Sequence, residues 1–233
     1  MKRAFAIAGL TAILCACASN VPSDAHFMTT ASANGDFNLA IQSMDDRKYM
    51  SVVRQRYDFS CGSAALATLL RYHYDFAVAE DRIFIGMWQD GDRAAIRRVG
   101  FSLFDMKRYL AGENLEADGY KVSLDEIAKA GIPGIALISI RKYKHFVVIK
   151  GVTDTEVLLG DPSVGLHLLP RAEFEAAWSG VFFVLNSEQE RGRSAFNVKQ
   201  QWAAFARAPI GHDFDDPVSL QALALTAPFY RDF

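Results

Sequence analysis

The sequence predicts an α+β fold, with helices first and an antiparallel sheet after them. Three observations carry this. Between Cys61 and about Asn114, apolar residues recur at helical spacing. Between Gly119 and Leu185, short β-branched and apolar runs follow one another with turn signals between them. The two patterns do not alternate, as they would in a doubly wound parallel sheet. The 233 residues are 51% hydrophobic and 22% charged, which is ordinary globular composition with enough chain for one core. A net charge of −2 without a basic patch excludes a nucleic-acid footprint.

The N-terminus reads as an export signal. Lys2 and Arg3 precede an apolar run from Ala4 to Leu14, too short to span a bilayer comfortably. The following "LCAC" is similar to the lipobox of bacterial lipoproteins, which implies a lipidated Cys17 at the mature N-terminus. Cys15 inside the box is unusual, and cleavage after Ala18 at an A-x-A pattern is the alternative. Residues 1–17 are therefore expected as the signal and 18–47, rich in Ser, Ala, Asp and Thr, as a tether. Residues 48–187 form the expected folded domain, and 188–233 an extension to which no role is assigned. The expected location is the periplasm, with an outer-membrane anchor if Cys17 is acylated.

Within the domain, Met50 to Gln55 reads as a short strand. Cys61 to about Tyr74 is a helix apolar on more than one face, hence buried in the middle of the domain. Ala79 to Trp88 is a second helix, and Ser102 caps a third. A strand, a helix capped by Ser123 and a central strand from Ile132 to Ile140 follow. "HFVVIKGVT" and "EVLLGDP" form a hairpin turning near Asp154-Thr155, which sets Asp161 opposite about Val148. "GLHLLP", a helix over "RAEFEAAW" and the strand "GVFFVL" complete the domain. In the tail, Asn197 to Arg207 has the pattern of an amphipathic helix.

The chemistry centres on Cys61. With Cys15 and Cys17 in the export signal, Cys61 has no disulfide partner. It stands at the start of a helix among Ser60, Gly62 and Ser63, where the helix dipole favours a thiolate and small neighbours admit a substrate. The bland reading is a small buried residue at a helix start. Gln55, six residues upstream, could donate to an oxyanion together with the Cys61 backbone N–H. Of five histidines, His26 lies in the tether and His212 in the tail. His73 lies about 18 Å down the same helix from Cys61. His167 alternates with leucines and reads as a surface residue, whereas His145 opens an apolar strand. Asp161 reads equally as a turn residue before Pro162 and as the group that orients an imidazole.

The motifs "Q-x5-C-G-x-A-x-L", "H-F-V-V-I-K-G" and "V-L-L-G-D-P-S-V-G", with the ending "RAEFEAAWSGVFFVL", resemble the C39 peptidases. The resemblance covers about Val53 to Leu185. It implies a papain-like cysteine peptidase fold that needs no metal or cofactor, with Cys61 as nucleophile, His145 as base and acid, Asp161 as orienter and Gln55 in the oxyanion hole. It implies a polypeptide substrate, cut after a Gly-Gly or Gly-Ala type pair, and a free-standing exported member beside secretion of a surface protein. One departure is Ser60, where many members have Asp directly before the cysteine; here Asp58 lies two residues before Ser60. Two other functions fit the same fold: a peptide-binding module that does not cut, and an acyl transferase that passes the acyl group to an amine.

Overall fold

The structure is a computed structural model that describes residues 25–26, 38–39, 43–140 and 143–205. The signal peptide, Cys17 and the tail beyond 205 lie outside the described residues. Strands β1 (Ala25–His26) and β2 (Asn38–Leu39) pair antiparallel as a separate small unit within the expected tether. The main unit begins with a short helix, α1 (Met44–Lys48).

Met50 to Gln55 is not a strand, contrary to the sequence expectation: Met50 and Ser51 lie in a turn, Val52 in a bend, and Val53 to Gln55 in irregular chain. Its polar backbone is satisfied without a ladder: Val53 N–H donates to Thr68 Oγ1 (2.8 Å) and Gln55 N–H donates to Pro162 O (2.9 Å). Helix α2 (Cys61–His73) is buried at every position from Cys61 to Leu70, as its all-round apolar pattern requires. It can approach its neighbours closely because Gly62 carries no side chain: a Cβ there would lie 3.0 Å from both Met106 and Phe101. Helix α3 (Glu80–Asp90) agrees with expectation to within two residues at each end. Helix α4 (Arg93–Val99), capped by Asp92, was not marked by periodicity because Ile96 is its one buried residue. Helix α5 (Leu103–Gly112) starts at Ser102 in a capping box with Asp105.

Strand β3 (Ala117–Lys121) leads to α6 (Leu124–Ala130). A second capping box, Ser123 with Glu126, starts α6, and Gly131 ends it in the left-handed conformation (φ 63°). Strands β4 (Gly134–Ile140), β5 (Tyr143–Val152), β6 (Glu156–Asp161) and β7 (Gly165–Pro170) follow. Helix α7 (Arg171–Ala177) runs into β8 (Trp178–Leu185). The six strands form an antiparallel sheet in the order β3-β8-β4-β5-β6-β7. The last strand in sequence therefore lies inside the sheet, between β3 and β4. Its residues alternate between the two faces: Phe183 and Leu185 pack in the core with α2, α3 and α5, while Phe182 packs with Leu124, Ile127 and Phe174 from α6 and α7.

One irregularity positions the site. In the β5–β6 hairpin, Val152 pairs with Val157 and Gly151 with Leu158, but Ile149 pairs with Leu159 and Val148 with Gly160. Lys150 is the extra residue of a β-bulge. Carried one residue further, this register sets Asp161 beside Val147 rather than Val148. A shift of one residue changes the face on which a side chain stands. The bulge thus brings Asp161 to the face that His145 shares with Val147.

The described tail packs as two short helices, α8 (Gln189–Ser194) and α9 (Lys199–Ala203). Only the latter falls within the helix expected over Asn197 to Arg207. The Asn197 side chain clamps Val152, accepting from its N–H (2.9 Å) and donating to its C=O (3.2 Å). No helix among the described residues is long and apolar enough to cross a membrane.

Candidate active site

The residues singled out in the sequence converge on one end of the sheet. Cys61 is the first residue of α2 and is 5% exposed. His145 is the third residue of β5 and is buried. Asp161 is the last residue of β6 and is buried. His145 Nε2 lies 2.7 Å from Asp161 Oδ1.

Asp161 combines the two roles that its sequence position left open. Its Oδ1 also accepts from Ser163 N–H (2.7 Å), Ser163 Oγ–H (2.6 Å) and Val164 N–H (3.3 Å). These bonds close the turn into β7, where Asp161 pairs with Gly165. Burial would raise the carboxyl pKa, but the bonds from His145 and Ser163 outweigh it and hold Asp161 below its usual value.

The electrostatics of His145 follow. Burial alone would push the imidazolium down. Its hydrogen bond to Asp161 and its contact with Cys61 more than offset this, and the imidazole is raised to about 9. The other ring nitrogen, Nδ1, is buried and has no hydrogen-bond partner of ordinary geometry among the described residues. Cys61 lies near enough to the ring to contribute to raising its pKa.

Gln55 sits beside this group through its backbone bond to Pro162, the residue after Asp161. Its side-chain oxygen Oε1 is buried and has no hydrogen-bond partner among the described residues. The excluded histidines lie elsewhere. His73 ends α2, with Nδ1 3.0 Å from Ala195 O and Nε2 3.0 Å from Lys150 Nζ. His167 is half-buried rather than a surface residue, with Nδ1 3.2 Å from Gly165 O. Cys61 is the free cysteine among the described residues, which hold no cluster of three or more His, Cys, Asp or Glu side chains able to bind a metal.

Two residues of the site were missed in the sequence. Ser163 supplies two of the donors on Asp161, and the Asp-Pro-Ser turn was the available signal. Tyr143 stacks on His145, and its spacing of two residues along a strand placed it on the same face.

A buried thiol at a helix start, an imidazole on a facing strand and a carboxylate on that imidazole, all on an α+β scaffold, belong to the class of thiol hydrolases. The chain belongs to the Peptidase C39 family, which it matches over residues 49–190, and is a cysteine peptidase. It is 41% identical over 148 residues to a Pseudomonas fluorescens protein named "Probable functional amyloid protease FapD", covering 64% of this chain and 66% of that one. The protein of the same name from Pseudomonas aeruginosa is 38% identical over 153 residues, covering 65% of this chain and 68% of that one. Among solved structures, the peptidase domain of Streptococcus ComA, a bi-functional ABC transporter, shares the fold with a TM-score of 0.50. It is 18% identical and covers 58% of this chain and 96% of that chain.

Proposed function

We propose that this cysteine peptidase cuts an exported polypeptide with Cys61 as nucleophile, His145 as base and acid, Asp161 as orienter and Gln55 as oxyanion donor. The observation that carries this reading is the 2.7 Å contact of His145 with Asp161, on an imidazole whose other nitrogen is left for the thiol. The Cys61 thiolate attacks the scissile carbonyl carbon and forms a C–S bond. The carbonyl electrons move to oxygen, where the Gln55 amide and the Cys61 N–H hold the oxyanion. When the tetrahedral intermediate collapses, the C–N bond breaks and the His145 imidazolium gives its proton to the leaving amine. His145 then takes a proton from water. The hydroxide formed displaces the thiolate and releases the carboxylic acid.

Two similar proteins are named as functional amyloid proteases, so the proposed substrate is a protein of a surface amyloid or of its secretion apparatus. The proposed cleavage site follows a Gly-Gly or Gly-Ala type pair. The export signal supports a periplasmic location, with an outer-membrane anchor through Cys17. The test compares exported proteins from strains carrying the wild-type chain and Cys61→Ala. One protein with a longer N-terminus in the variant strain is expected. Unchanged processing in the Cys61→Ala strain, with the variant expressed and folded, would rule the mechanism out.

A further inference from the structure

We infer that Tyr143 is a positioning residue of this site, resting on the proposed pairing of Cys61 with His145. Tyr143 is the first residue of β5, two before His145, so the two side chains leave the same face of the strand. Their rings stack with centroids 6.1 Å apart and planes 28° from parallel. The Tyr143 hydroxyl donates to Asp58 O at 2.8 Å. Asp58 lies three residues before Cys61, in the loop that delivers the thiol to the start of α2. One side chain therefore touches the imidazole and also ties down the loop that carries the nucleophile.

Core packing among the described residues does not account for Tyr143. It is 53% exposed and contributes to none of the hydrophobic clusters among the described residues. It pairs with Ile140, the last residue of β4, at the turn end of the β4–β5 hairpin. A strand end without a cross-link can move relative to the helix opposite. That motion would change the approach of thiol to imidazole while leaving the core intact. An ångström of displacement between reacting groups is enough to cost about 10² in rate. The Tyr143 phenol also responds to the charges of Cys61, Asp58 and Asp161, although burial is the larger influence on it.

The test needs no substrate. Iodoacetamide reports the thiolate that a nearby imidazolium stabilises, so the ratio of Cys61 alkylation rates at about pH 6.5 and about pH 9.5 reads the pair directly. An unassisted thiol that titrates near 8.5 reacts roughly a hundredfold more slowly at the lower pH. In the wild type the two rates should lie within about tenfold. Tyr143→Phe, which keeps the ring and loses the bond to Asp58, should move the ratio part of the way towards the unassisted value. Tyr143→Leu should move it further. Melting temperature should change little in the Phe variant, because water can replace the hydroxyl at an exposed carbonyl.

His145→Ala separates the two levels of the argument. If His145→Ala takes the unassisted ratio while both Tyr143 variants keep the wild-type one, the role of Tyr143 is disproved and the pair stands. If His145→Ala itself keeps the wild-type ratio, the pair is disproved and the role of Tyr143 with it. Should the Leu variant fail to fold, the Phe variant decides.

Discussion

At the scale of single residues, the site is built from groups that would be unfavourable alone. A buried imidazolium is penalised by desolvation, yet His145 is raised to about 9 because Asp161 and Cys61 repay that loss electrostatically. The sign of the resulting pH dependence is set. A histidine whose folded pKa lies above the unfolded value of about 6.5 contributes stability that is full below that value. The contribution fades as pH rises through about 9. The stability difference between wild type and His145→Gln, measured by denaturant unfolding, should therefore shrink between about pH 6.5 and 9. A constant difference would mean that His145 is not held as the cation. In the proposed mechanism, Gln55→Ala removes one of two oxyanion donors. It should lower kcat by roughly 10²–10³ without abolishing turnover, whereas Cys61→Ala should abolish it. Steady-state kinetics on the processed substrate distinguish the two outcomes.

At the scale of elements, the β5–β6 hairpin matters most, and Lys150 is its unusual member. Its side chain is fully buried, and Nζ lies 3.0 Å from both Ser51 O and His73 Nε2. His73 Nδ1–H donates to Ala195 O, which leaves Nε2 as the acceptor. Burial depresses Lys150 to about 7. The unfolded chain then holds more protons than the folded one between that value and about 10.4, so this residue makes stability rise with pH across the interval. Lys150→Met should stabilise the protein most, relative to wild type, near pH 6.5, and the advantage should diminish towards pH 10. Paired denaturant titrations check this, and an advantage that grows with pH would refute the buried, easily neutralised lysine. Helix α2 offers a simpler case. Leu66 is fully buried beneath the sheet, and Leu66→Ala should cost about 2–5 kcal/mol of unfolding free energy.

At the scale of the whole molecule, the residues after Leu185 are part of the main unit's packing. Phe196 is buried with the α6–α7 cluster, Arg191 donates to Tyr74 O (3.0 Å), and Asn197 clamps Val152. A chain ending at residue 187 should unfold several degrees lower than the full chain, since loss of a buried Phe alone typically costs about 3–5 kcal/mol. Equal melting temperatures by circular dichroism would show that these contacts contribute little.

The sequence by itself determined the α+β order, the buried α2 and the two serine-capped helices. These follow from local periodicity and from capping chemistry that acts within a few residues. It also marked Cys61, His145, Asp161 and Gln55, because a lone thiol, a strand-end histidine and an Asp-Pro turn are visible one residue at a time. Helix α4 stayed hidden because a single buried residue has no period, and Met50 to Gln55 looked like a strand because a short apolar run reads the same whether it pairs in a sheet or packs as a turn and loop. Only the tertiary structure decided that β8 lies between β3 and β4, and that Lys150 bulges so that Asp161 faces His145. Only it joined the Tyr143 hydroxyl to the loop before Cys61. Strand order, bulges and cross-links between distant segments arise from contacts across the chain, and no short window of sequence contains both partners of such a contact.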